Sequence, residues 1–119
     1  MVGIIGISIL VLMNKSPDFI AELYYRTAEE GGRNTPAFSG YRPQVKFSFS
    51  EMQTSGQQKF LGTDRANPGD TVKAEIAILS PDFFKNQLFV GLEFEFREGA
   101  RIIGTGRILE ILNKELLDL

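Results

Sequence analysis

Glu93 and Glu95 stand two apart in the run Leu92-Glu93-Phe94-Glu95-Phe96, with Glu98 close behind. On a strand this spacing puts both carboxylates on one face, and a carboxylate pair can act as general acid and base. The same pair could hold Mg²⁺ or Ca²⁺ loosely, although no Asp-x-Asp-x-Asp-Gly loop accompanies it. The plainer reading is a solvated strand face flanked by Arg97, which needs no pocket. Other chemistries are excluded outright. The 119 residues contain no Cys and no His, which removes thiol nucleophiles, disulfides, Ser-His-Asp triads and Cys- or His-ligated zinc. No Gly-x-x-x-x-Gly-Lys-Ser/Thr loop occurs, so the chain offers no backbone cradle for a triphosphate. Asn14-Lys15-Ser16-Pro17 begins like a guanine-reading Asn-Lys-x-Asp, but Pro17 takes the fourth place and Asp18 comes one residue late, a coincidence of composition. No catalytic residue, metal ligand, cofactor or nucleotide is therefore expected.

Binding is the chemistry left. Arg33, Arg42, Arg97 and Arg101 are the cations to watch, and the plain alternative is that they bridge Glu29, Glu30 and Glu98 within the loops, each exposed pair contributing ~0–1 kcal/mol. A net charge of −2 argues against holding nucleic acid by charge alone. Ten phenylalanines beside basic residues raise the possibility of base stacking, but most fall on the buried phase of a strand and read as core. Phe38, Phe83 and Phe84 sit in connections and stand as candidates for a partner interface, with Arg42 and Arg101.

The elements that must carry these residues have a period of two. Phe19, Ala21, Leu23 and Tyr25 share one face; Val45, Phe47 and Phe49 alternate with Lys46, Ser48 and Ser50. Ala74, Ile76 and Ile78 alternate with Lys73, Glu75 and Ala77, and Leu92, Phe94 and Phe96 with Glu93, Glu95 and Arg97. One apolar and one wetter face per run is the pattern of half-buried antiparallel strands. The spacing predicts Phe47, Phe49, Ile76, Ile78, Phe94 and Phe96 as buried. Gly104 and Gly106, within the run Arg101 to Leu112, suit a sharply bent strand or a bulge at a barrel corner. Loops are read at 30–36, at Thr54-Ser55-Gly56, at Asn67-Pro68-Gly69-Asp70 and at Glu98-Gly99-Ala100, the last a hairpin with Gly free to take positive φ. Only Asn113 to Leu119 looks helical. Several short strands at even spacing argue an all-β fold, a small barrel or sandwich.

The first thirteen residues, MVGIIGISILVLM, are nearly all apolar. As a helix at about 1.5 Å per residue they span only ~20 Å, short of a ~30 Å hydrocarbon core. The first cation, Lys15, follows the run, which does not suit a secretory signal. Three readings stay open: an element packed on the core, leader residues ahead of a start near Met13, or a weak membrane or export segment.

Glu30-Gly31-Gly32-Arg33-Asn34-Thr35-Pro36, followed by Gly40-Tyr41-Arg42-Pro43-Gln44, resembles the opening of the third domain of elongation factor Tu. The resemblance continues through Pro68-Gly69-Asp70, Ser80-Pro81 and Arg97-Glu98-Gly99-Ala100-Arg101 to Gly104-Thr105-Gly106, over about residues 18 to 112. It implies a six-stranded antiparallel β-barrel over residues 18–112, with residues 1–17 as an apolar lead-in and 113–119 as a tail, standing alone without the rest of the factor. In that family the domain does no chemistry; it packs against the GTPase domain and the second barrel and helps form the cleft for the T-stem of aminoacyl-tRNA. By resemblance Arg33, Gln44, Arg97, Glu98 and Gly99 lie where the family's tRNA-contacting groups lie. Such contacts read A-form shape through phosphate and sugar oxygens. Asn34 replaces the family's usual His, and Ser80 its usual basic or imidazole residue, so positive charge is missing from that face. The expectation is a non-enzymatic cytoplasmic binding domain that contacts a translation component, tRNA or an elongation-factor partner, with weak RNA binding on its own. The alternative is a protein–protein module on the same barrel. No membrane partner is expected, and the oligomeric state is open.

Overall fold

Lys15 is the first residue that the computed structural model describes, and residues 15–119 are described throughout. The apolar run 1–13, with its three readings, and Asn14 lie outside the described residues. From there the alternation in the sequence becomes strand. Phe19, Ala21, Leu23 and Tyr25 of β1 (Phe19–Tyr25) are buried, and the residues between them face outward. The chain continues through a two-residue β2 (Ala37–Phe38), β3 (Gln44–Phe47), β4 (Thr54–Leu61), a two-residue β5 (Arg65–Ala66) and β6 (Thr71–Ile78). It ends with β7 (Glu93–Glu98) and β8 (Arg101–Ile111). Six strands close into a barrel in the order β1-β6-β4-β3-β7-β8, every pairing antiparallel, while β2 and β5 form a separate ribbon. Closure leaves no free sheet edge in the barrel.

Aromatic rings fill the barrel in two groups. Phe19, Phe47 and Phe94 meet with ring centroids 5.7–6.1 Å apart; Tyr25 packs on Phe96 at 4.9 Å and on Phe60 at 6.1 Å. The space for these rings comes from glycine. Phe94 faces Gly106 and Phe96 faces Gly104 across the β7–β8 pair. A Cβ on Gly106 would lie 2.2 Å from Phe94 Cζ, and one on Gly104 would lie 2.3 Å from Phe96 Cζ. The β7–β8 register also slips between Phe96 and Arg97, beside Gly104, and the β1–β8 register slips between Ile20 and Ala21. These bulges bend the eleven-residue β8 so that it can pair with β7 and then close on β1. The glycine pair was expected at a bent strand or bulge, and it occurs there.

Several local expectations are corrected. Phe49 is 47% exposed: β3 stops at Phe47, the alternation stops with it, and Phe49 instead stacks flat on Phe47 at 5.8 Å. Phe84 is buried, not displayed, because the 3-10 turn Pro81–Phe84 folds it over the barrel mouth against Phe47 at 5.0 Å. Thr54-Ser55-Gly56 is not a loop but the start of β4. The tail forms only the 3-10 turn Lys114–Leu116, which buries Leu116; Leu117 bridges Leu88. Of the residues predicted as buried, Phe47, Ile76, Ile78, Phe94 and Phe96 are.

The two ends of the barrel differ. At one end, buried Asp18 gathers three strand ends: its Oδ2 accepts from Ile78 N–H at 2.8 Å and from Lys15, and its Oδ1 accepts from Asn113 at 2.9 Å. At the other end lie the loops 26–36 and 39–43, the β2–β5 ribbon and the β7–β8 hairpin, whose Gly99 has φ 63°. No helix among the described residues is long and apolar enough to cross a membrane.

Candidate functional site

Glu98 is the last residue of β7 and continues the inward phase of Phe94 and Phe96, so its carboxylate lies at the mouth of the barrel. The Gly99-Ala100 turn brings Arg101 back beside it, and Arg101 Nη2 donates to Glu98 Oε1 at 3.1 Å. Arg33 comes from the loop after β1. There Thr27 and Glu30 cap each other: Thr27 N–H donates to Glu30 Oε1 at 2.9 Å, and Glu30 N–H donates to Thr27 Oγ1 at 3.2 Å. Tyr24 Oη donates to the same Glu30 carboxylate. Gly32 then passes against the Arg26 carbonyl, where a Cβ would lie 2.3 Å from the oxygen. The turn thus fixed delivers Arg33.

Arg33 Nη1 donates to Glu98 Oε2. Its remaining N–H groups donate to Thr35 O at 3.4 Å, Thr35 Oγ1 at 3.3 Å and Pro36 O at 3.4 Å. The guanidinium lies over the Tyr41 ring, 4.9 Å from its centroid, a cation–π arrangement. Tyr41 Oη in turn donates to Glu98 Oε2. Burial pushes the Glu98 carboxyl upward, but hydrogen bonds from Tyr41, Arg33 and Arg101 outweigh it and hold the group below the ordinary carboxylate range. Burial, then the hydrogen bond to Glu98, raises the Tyr41 phenol well above its ordinary value. Glu98 therefore stays ionised and Tyr41 stays protonated around neutrality, and neither is poised to pass a proton. What the cluster can do is hold an oxyanion: two guanidiniums and a hydroxyl converge on one carboxylate.

The family resemblance implies one contact set of Arg33, Gln44, Arg97, Glu98 and Gly99. Arg33, Glu98, Gly99 and Arg101 do come together. Arg97, one position from Glu98, points to the outer wall, and its Nε donates to Glu95 at 2.9 Å. Gln44 is opposite Arg97 in register and donates to Ser55 Oγ at 3.0 Å. Of the interface candidates, Phe38 (58% exposed) and exposed Arg42 belong to the Arg33 end. Phe83 (62% exposed) lies at the opposite end, and Phe84 is core. Glu93 and Glu95 line an open depression of about 350 Å³ on the outer wall, shared with Lys46 and Arg107. Charges of both signs alternate there, since Glu93 faces Arg107 and Glu95 faces Lys46 across the strands. Among the described residues no three carboxylates gather as metal ligands.

Tyr41 is the member that sequence reasoning missed. It lay inside Gly40-Tyr41-Arg42-Pro43-Gln44, and the signal that could have found it is an aromatic with a hydroxyl between two candidate arginines. A second missed feature lies beneath it: Tyr25 Oη donates to buried Gln58 Oε1, and the Tyr25 and Tyr41 rings are 6.4 Å apart.

The family model described as the elongation factor Tu C-terminal domain matches residues 13–112, five residues further toward the N-terminus than the motifs alone had reached. With the closed six-stranded barrel, this match over most of the sequence places the chain in the elongation factor Tu C-terminal domain family.

Proposed function

We propose that this chain is a binding domain that contacts a translation component through the barrel end carrying Arg33, Tyr41, Glu98 and Arg101, and that its ligand there is RNA backbone. The observation that carries the reading is the convergence of two guanidiniums and a phenolic hydroxyl on a single oxyanion that is about one-third exposed at one end of the barrel. Guanidinium groups recognise phosphate as they do carboxylate, and a site of this kind positions a backbone without reading bases. Arg42 is exposed beside the cluster and makes no ion pair among the described residues, so it is free to add a phosphate contact. A cytoplasmic setting follows from the same reading. Arg97 and Gln44 contribute less than the motif resemblance implies, because each is already engaged along the outer wall.

Binding by the isolated chain is weak. The net charge is −2, and the best-placed cations are neutralised from within the protein. Electrophoretic or filter-binding assays with aminoacyl-tRNA should give a measurable complex at about 50 mM salt that is largely lost at about 0.15 M. Arg33→Ala should abolish it. Absence of binding even at low salt would sink the RNA reading. The second reading, a protein partner, is favoured by exposed Phe83, Phe89 and Val90. A pull-down from native extract in which a translation factor, and no RNA, is captured in a manner lost on Phe83→Ser would establish it.

A further inference from the structure

Apolar side chains are left uncovered chiefly at the Asp18 end of the barrel. The β3–β4 and β6–β7 connections lie at that end, since Phe19 pairs with Ile76 and Ile111, Gly56 with Ile78, and Phe47 with Phe94. Phe49 and Met52 are exposed on the first connection, and Phe83, Phe89 and Val90 on the second. Among the described residues, only Phe38 and Leu61 of the exposed large apolar side chains belong to the opposite end. The backbone that presents Phe89 and Val90 is pinned on both sides of them. Leu88 N–H donates to Leu116 O and Asp118 N–H to Leu88 O, both at 2.7 Å, and Gly91 N–H donates to Ile108 O at 2.8 Å. Apolar surface gathered in this way on one domain marks a contact site.

The chain itself carries an occupant of matching chemistry at the same end. Residues 1–13 hold no charged side chain, and they precede Lys15, whose ammonium is paired with Asp18. The family match begins at residue 13, so the run before it is additional to the matched domain. Thirteen residues reach at most ~45 Å, beyond the longest extent of the molecule, 41 Å. The closed barrel has no edge to which the run could add as a strand, so apolar side-chain contact is what this end offers. The anchor at Asp18 makes that contact intramolecular, at an effective concentration on the order of millimolar, which favours the chain's own segment over a second copy or a free partner. We propose that residues 1–13 dock on the apolar surface around Phe83, Phe89 and Val90 and cap the Asp18 end of their own barrel. The inference stands apart from the RNA reading, whose residues lie at the other end. It accounts for the exposed Phe83, Phe89 and Val90 without a protein partner.

The chain has no Trp and no Cys, so one of each can be introduced as unique probes. The test uses the full chain with Val90→Trp as the fluorophore and Ile9→Cys carrying a nitroxide, a short-range quencher. Labelling should lower the tryptophan emission roughly twofold or more, and the loss should persist on dilution, as a tethered contact requires. Leu61→Trp, at the far end of β4, should stay bright with the same label. Ile9→Asp with Val90→Trp, unlabelled, should shift the emission to the red. Thermal melts check that each variant is folded, and Phe83→Trp replaces Val90→Trp if that one is not. Emission at position 90 that ignores the label overturns the proposal, as does equal quenching at position 61. Quenching that disappears on dilution assigns the surface to a second copy. Absence of quenching, with the labelled chain bound to phosphatidylcholine vesicles, assigns the run to a lipid surface. Either result also overturns the proposal.

Discussion

Glu98 couples the site to stability through its proton. Its carboxyl in the unfolded chain titrates near ~4.3; in the folded protein burial opposes ionisation, but Tyr41, Arg33 and Arg101 overcome it and lower the value. A lowered folded value means the carboxylate's contribution is complete above the unfolded value and is lost as pH falls through the folded one. Glu30, held chiefly by Tyr24 and then by Thr27, acts in the same direction. Urea midpoints should therefore drop on acidification below about pH 4.5, and Glu98→Gln should lower the neutral plateau and flatten that limb, the two proteins converging in acid. Identical acid limbs in the two proteins would contradict this account. Inside the barrel the decisive residue is the one without a side chain. Gly106→Ala would drive a methyl to 2.2 Å from Phe94 Cζ, and overpacking of this kind costs about 1–3 kcal/mol. Phe94→Ala should cost ~3–5 kcal/mol by leaving a cavity. The double variant places the new methyl where the ring was, so in chemical denaturation it should cost less than the sum of the two.

Three strand ends depend on one carboxylate. Asp18 N–H donates to Ile76 O at 2.7 Å, and its own carbonyl accepts from Leu112 and Asn113 N–H, both at 2.9 Å. Its side chain satisfies Ile78 N–H and Asn113, so the start of β1 is tied to the ends of β6 and β8. Asp18→Ala leaves a buried backbone N–H without a partner and should cost about 2–3 kcal/mol by urea unfolding. Asp18→Asn, which can still accept from Ile78, should cost clearly less; equal losses would mean that the hydrogen bond is not what matters. On the far side of the core, the Tyr25–Gln58 pair is a polar island among rings, with no partner for Gln58 Nε2 among the described residues. Its place, directly under Tyr41, links the packed interior to the candidate site.

Closure governs the whole molecule. The first barrel strand pairs with both β6 and β8, so completing the sheet requires contacts between chain segments far apart in sequence. No pair of strands has a core of its own, and the separate β2–β5 ribbon is only two residues long on each side. Unfolding should therefore be a single transition, with far-ultraviolet circular dichroism and the fluorescence of the three tyrosines giving coincident curves. Refolding should be slow for a chain of this size, in milliseconds to seconds, as non-local pairing requires. Displaced melting curves for the two probes would show that the Arg33 end, where the tyrosines lie, opens separately from the barrel.

Alternation in the sequence determined which residues of β1, β6 and β7 face inward, because the pleat of a strand sends successive side chains to opposite sides whatever lies around it. Turn chemistry located the β7–β8 hairpin, and the ordered motifs from Glu30 to Gly106 pointed to the family. Local signals fail where a strand stops or where partners come from elsewhere in the chain. Phe49 keeps the alternating spacing but lies beyond the end of β3, and Phe84 reads as a loop residue although it seals the barrel. In the site, Arg33 and Glu98 were both named from the sequence, while Tyr41, which holds them together, was not. Arg97 was assigned to Glu98's side, yet the pleat turns it to Glu95. Which carboxylate an arginine meets depends on strand neighbours that exist only after β1 has closed on β8, since charge attraction acts over a few ångströms and sequence spacing does not measure that distance.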